Sequence, residues 1–213
     1  MFKSEIAALA QQHFGAAICS RRLPASFAST GNSLEVLAFA TKEGLLVIDD
    51  YAPQGGTQEM ARYHASAERV LRAAGNNQGR GHLTSDAKLR EANPPRGLVL
   101  ATGEDVRHGQ SIRGRTFIVE VSPGDVNTTI LTECQAAAAD GMYARSMGAF
   151  IQWIAGYYGD LQSWFQARVL KLRLQATKVH ARTPGIVADL HPGFKLFLKF
   201  AVEVGAITSA EGY

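Results

Sequence analysis

Two short stretches hold a lysine, a serine and two aspartates that could act on one ligand. The chain opens Met1-Phe2-Lys3-Ser4-Glu5 ahead of an amphipathic segment, and some forty residues on comes Leu45-Leu46-Val47-Ile48-Asp49-Asp50, an apolar run ending in paired carboxylates. A Lys-Ser pair heading a helix suits a triphosphate: the ammonium reaches the β- and γ-phosphates and the hydroxyl holds Mg²⁺. The N–H groups and dipole of a helix N-terminus favour the same anion. A buried strand ending in acids supplies the metal side, Asp49 towards Mg²⁺ and Asp50 towards the attacking water. Alone, Lys3-Ser4 reads first as a solvated lysine, and its weight comes from its position. Asp49-Asp50 is stronger, because two adjacent acids are costly to bury unless a cation or partner neutralises them; the alternative is a strand end entering solvent.

Further residues fall in an order that fits this chemistry. Thr102 closes the apolar run Gly97-Leu98-Val99-Leu100-Ala101, with Gly103-Glu104-Asp105 beyond it. In an open α/β sheet the ligand crevice lies at the carboxyl ends of the strands, where a hydroxyl can orient water. A threonine satisfying a local turn fits equally well. Arg113-Gly114-Arg115 precedes a third apolar run, and Arg80 sits in a Gly-rich loop. Either position could offer a guanidinium to a transferring phosphoryl group, although most surface arginines are only solvated.

The elements that must position these groups follow from periodicity. Ile6, Leu9, Ala10 and Phe14 predict a helix from Ser4 to Phe14. Ala25–Ser29 is a short strand, a helix capped by Asn32 or Ser33 runs to Thr41, and Leu45–Ile48 is a strand buried on both faces. A helix over 58–74, a strand over 97–102 and a further strand over Phe117–Val121 follow. From Asp125 onward the pattern is helical, about 128–139, 142–158, 161–178 and 186–204, with Pro192-Gly193 expected to kink or split the last. This predicts an α/β core over 1–124 with a parallel sheet, and a helical lid or C-terminal subdomain over 125–213.

Composition narrows the class. The 213 residues are 46% hydrophobic and 19% charged, enough for a real core, and the net charge of +3 permits an anionic partner without demanding one. Cys19 and Cys134 form no disulfide framework and no metal-ligand spacing, so reduced thiols are expected. No stretch reaches membrane-spanning length and the N-terminus has no signal pattern, which makes a cytoplasmic protein the expectation. Arg168, Lys171, Arg173, Lys178 and Arg182 make the late helices basic. They could track a phosphate backbone, but the wet face of an amphipathic helix is the favoured reading.

The chain resembles the P-loop ATPase domain of a bacterial family of helicase-like proteins, described as superfamily II helicases and inactivated derivatives, or as the C-terminal part of primase-helicases of phages and mobile elements. The stretches that carry the likeness are Phe2-Lys3-Ser4-Glu5 running into Ala8–Gly15, Leu23 to Phe27, Leu46 to Gly55, Gly75 to Gly81, Lys88 to Glu91, Leu100 to Asp105 and Gln110 to Arg115. The order of motifs is also similar to that of AAA+ motors. The resemblance implies Walker A roles for Lys3 and Ser4 and Walker B roles for Asp49 and Asp50. It puts Thr102 at sensor 1, and Arg113 or Arg115 at an arginine finger. It further implies ATP and Mg²⁺ as cofactors, a homo-oligomeric ring, single-stranded or forked DNA as partner, and a role in DNA replication or mobile-element maintenance. The family's first strand and phosphate-loop glycines, which would precede Lys3, are not in the sequence. A core lacking its first strand is therefore expected, possessing weakened ATP affinity or none. A non-catalytic remnant that binds DNA or partner subunits through its basic helices is the alternative.

Overall fold

The computed structural model describes residues 2–52, 56–79, 81, 85–89, 92–104, 112, 114–175 and 183–211. Among these the chain is α/β, with a three-stranded parallel sheet and seven α-helices. The first unit, Met1–Ala144, holds the sheet in the order β1-β2-β3: β1 is Ala25–Ser26, β2 Leu45–Tyr51 and β3 Leu98–Gly103. Its helices are α1 (Lys3–Gln12), α2 (Gly31–Ala40), α3 (Thr57–Asn76) and α4 (Thr128–Ala139).

The central strand β2 runs through the core. Leu46, Val47 and Ile48 are 1%, 0% and 0% exposed, and each such burial stabilises by about 1.5–3 kcal/mol. Alternation along β2 divides its side chains. Leu46, Ile48 and Tyr51 join Phe27, Leu34, Ala38, Ala67 and Val70 in one cluster, with contributions from α2 and α3. Helix α1 packs on β2 and β3 and buries Ala7, Ala8, Gln11 and Gln12.

Each helix end has a local reason. Thr30, rather than Asn32 or Ser33, caps α2, its Oγ1 accepting the Ser33 N–H at 3.3 Å. At the start of α3 the Glu59 carboxylate accepts the Gly56 N–H at 3.3 Å, and Asn77 ends the helix in the left-handed conformation. The turn into β2 and the start of β3 meet at Gly97, where a Cβ would lie 2.1 Å from the Gly44 carbonyl oxygen. The Leu98 N–H donates to that same carbonyl, so only glycine lets β3 enter beside β2 in this register.

β2 and β3 run parallel in register from Leu45↔Leu98 to Ile48↔Ala101, as strands joined by a crossover helix do, but β3 is only partly buried, with Leu98 63% exposed. The strand expected over Phe117–Val121 does not form. Residues 116–122 carry no strand pairing, and Phe117 and Val119 are 62% and 69% exposed. Their β-favouring side chains cannot supply the hydrogen-bonded neighbour that a strand needs.

The second unit, Arg145–Tyr213, is helical. α5 (Met142–Ala155) enters it, followed by α6 (Tyr158–Gln175) and α7 (Thr183–Glu203). Phe150, Trp153, Phe197 and Phe200 pack ring against ring, and the Trp153 indole donates to Glu203 at 2.8 Å. α7 continues through Pro192 without being split. α4 belongs to the first unit: Gln135 donates to Glu5 of α1 at 2.6 Å, and Tyr143, just beyond α4, stacks on His13 at 4.8 Å. Burial, with hydrogen bonding to Cys134, pushes the Tyr143 phenol up to about 12. A phenol harder to ionise folded than unfolded costs stability above the ordinary value near 10. Stability should therefore fall as pH rises from about 10 towards 12, with a shallower fall in Tyr143→Phe. Melting curves across that range check this, and identical slopes would refute it.

Candidate functional site

The carboxyl ends of β2 and β3 and the N-terminus of α1 converge on Asp49. By the alternation of β2 its side chain shares the face of Val47 rather than that of the Leu46–Ile48 cluster. There the Ser4 hydroxyl, one residue into α1, donates to Asp49 Oδ1 at 2.7 Å. The Thr102 hydroxyl, 9% exposed at the end of β3, donates to the same oxygen at 2.5 Å. Asp49 Oδ2 accepts no hydrogen bond among the described residues. Lys3 donates from Nζ to the carbonyl of Gly103, at the end of β3.

Asp50 is held differently. A register shift separates Ile48 from Tyr51, and Asp50 takes φ +62°, the left-handed region that aspartate tolerates better than most residues. Its N–H donates to Thr102 Oγ1 at 3.1 Å, while its carbonyl accepts the Tyr63 hydroxyl and the Ala52 N–H. An irregularity of this kind re-aims a side chain at a strand end. Here it leaves Asp50 exposed beside the partly buried Asp49. Tyr63 was not singled out by the sequence. Burial raises its phenol above the ordinary range, against the lowering effect of its hydrogen bond to the Ala52 backbone, so at neutral pH it serves as a neutral donor.

The structure thus gathers Lys3, Ser4, Asp49, Asp50 and Thr102. Arg115 lies elsewhere: its Nε donates to Asn76 at 3.0 Å, at the C-terminal end of α3. That helix starts soon after β2 and is 20 residues long, about 30 Å, so Arg115 sits at the end remote from Asp50. Arg113 and Arg80 lie outside the described residues. Of the late basic residues, Arg173 on α6 pairs with Asp189 at 3.1 Å, while Lys178 and Arg182 lie outside the described residues.

The donor set around Asp49 is all oxygen, one carboxylate and a helix-terminal hydroxyl, with a second carboxylate adjacent. This fits Mg²⁺, a hard cation usually held by one or two carboxylates together with substrate phosphates and water. Among the described residues no cluster of three or more His, Cys, Asp or Glu forms a self-sufficient metal cage. Both cysteines are free, and no described helix is long and apolar enough to cross a membrane. Comparison with family models, with curated proteins and with solved structures finds no match to this chain.

Proposed function

We propose that the chain carries a P-loop-type nucleotide site and is the ATPase core of a helicase-like protein. The observation that supports this most is the hydrogen bond from Ser4 Oγ to Asp49 Oδ1, 45 residues apart in sequence. A hydroxyl at a helix head joined to a carboxylate at a strand end is the pair that holds a magnesium–triphosphate complex. In this reading Lys3 leaves the Gly103 carbonyl to neutralise the β- and γ-phosphates. Ser4 and Asp49 hold Mg²⁺, which supplies charge neutralisation on the phosphate oxygens when bound. Asp50, exposed at the same strand end, takes the proton of the attacking water, and Thr102 fixes both acids through its hydroxyl and its bond to the Asp50 N–H. An arginine for the developing charge comes from a neighbouring copy, Arg113 or Arg115 being the candidates, in a homo-oligomeric ring acting on single-stranded or forked DNA.

Saturating ATP with Mg²⁺ is expected to stabilise the chain, by about 2.7 kcal/mol at a hundredfold excess over Kd. Lys3→Ala, which removes the only ammonium in the cluster, should abolish that gain. Thermal melts with and without nucleotide decide the matter, and an unchanged melting temperature for the unsubstituted chain at millimolar ATP and Mg²⁺ would sink the proposal.

A further inference from the structure

A second concave feature of the first unit lies between the β1–α2 turn and α3. It is an open cleft of about 450 Å³, within the span of about 300–1,000 Å³ usual for small-ligand sites. Ser29, Thr30 and Gly31 line one side, and Arg62, Ser66 and Arg69 of α3 line the other.

Three independent features bear on what it would hold. The first is charge: two guanidinium groups face a single lining carboxylate, Glu59, whose Oε2 already accepts the Gly56 N–H. The second is the head of the ten-residue helix α2. The Thr30 side chain takes the Ser33 N–H, but the N–H groups of Gly31 and Asn32 have no acceptor within the helix. Gly31 also lets α3 come close, since a Cβ there would meet Arg69 Nη1 and Ser66 Oγ, each at 3.1 Å. Arg69 is held beside this turn by Asn32 Oδ1 at 3.4 Å. The third is Ser66 itself, whose Oγ is buried and has no hydrogen-bond partner. A buried hydroxyl left unpaired is costly, and an acceptor brought by a ligand would satisfy it.

We propose that this cleft binds a phosphate group, gripped between the first turn of α2 and the guanidinium groups of Arg62 and Arg69. Guanidinium N–H forks, backbone N–H groups and a hydroxyl are all donors, and a tetrahedral oxyanion is the acceptor that uses them together. The chemistry is shared by a free phosphate or phosphomonoester and by the phosphodiester of a nucleic-acid backbone. The cleft is also tied to the cluster at Asp49. Tyr63 lines it and donates to the Asp50 carbonyl, so an occupant that shifts Tyr63 acts on the strand end. The proposal does not depend on the nucleotide reading, because Lys3, Ser4 and Asp49 take no part in it.

The test titrates the full chain with inorganic phosphate and, separately, with an oligothymidylate lacking terminal phosphates. Binding is followed by calorimetry and by the rise in melting temperature. Binding of inorganic phosphate identifies a free phosphoryl ligand. Binding of the oligonucleotide alone, weakening as salt rises, identifies a backbone phosphate. In either case Arg62→Glu, at an exposed position, should weaken binding at least about tenfold, the equivalent of one charge-assisted hydrogen bond. Ser66→Ala should weaken it less, and the component lost in Arg62→Glu should persist in Lys3→Ala. The proposal is overturned if neither probe binds, if Arg62→Glu and Ser66→Ala both bind as the unsubstituted chain does, or if Lys3→Ala alone removes the binding.

Discussion

Asp49→Asn is expected to lower Mg²⁺-dependent ATP turnover by on the order of 100-fold, the scale on which loss of one preorganised electrostatic partner is felt in catalysis. It should also remove the Mg²⁺-dependent part of stabilisation by ATP. The substitution is chosen because its structural cost is small. An amide oxygen can still accept from Ser4 and Thr102, which both donate to Asp49 Oδ1, so the melting temperature of the nucleotide-free protein should change little. Asp49→Ala provides the contrast. It strands the Thr102 hydroxyl in a buried setting, which costs about 1–3 kcal/mol, and so combines a chemical loss with a structural one. Phosphate-release assays and nucleotide-free melts on the two variants separate the effects. Undiminished turnover in Asp49→Asn would end the assignment of this acid to the metal.

The largest effect on stability is expected at Gln11. Strand β1 is two residues long and pairs only with the Ile48–Asp49 end of β2. Further back along β2, among the described residues, no strand residue meets the Val47 N–H or the Leu45 carbonyl on that side. The Gln11 side chain does so instead: its Oε1 accepts the Val47 N–H at 2.8 Å and its Nε2 donates to the Leu45 carbonyl. A side-chain amide has one donor and one acceptor in the spacing of a peptide group, so Gln11, 5% exposed, stands in for a missing strand residue. Gln11→Ala leaves both backbone groups unpaired and should cost about 2–4 kcal/mol, or about 4–16 °C in melting temperature. Gln11→Glu should be no better, because a carboxylate cannot donate to the Leu45 carbonyl. Chemical denaturation measures this directly, and a loss below about 0.5 kcal/mol for Gln11→Ala would show that the amide is dispensable.

Much of this arrangement was legible along the chain. Hydrophobic periodicity placed α1 to α3 and the strands β2 and β3 to within a few residues, because each depends on a local repeat of apolar side chains. The ends of the apolar runs also marked Asp49, Asp50 and Thr102, since acids and hydroxyls there break a pattern that is otherwise uniform. Gln11 gave no such signal. As one polar residue in an amphipathic helix it reads as solvent-facing, and only the shortness of β1 gives it two backbone groups to bind. The run Phe117–Val121 erred in the opposite sense: its side chains suit a strand, but pairing is a property of two segments and none of the described residues pairs with it.

Local spacing and side-chain type sufficed to place the helices and the chemically capable residues, but not to tell that β3 stays half-exposed. Which of those residues meet is a matter of tertiary packing. It joined Ser4 and Thr102 to one oxygen of Asp49 and turned Asp50 outward through a positive φ. It set Arg115 at the far end of α3, and it left Ser66 unpaired beside Arg62 and Arg69. Such meetings depend on strand order, register and helix docking, which are set by the packing of the whole unit and leave no mark on the spacing of any one segment.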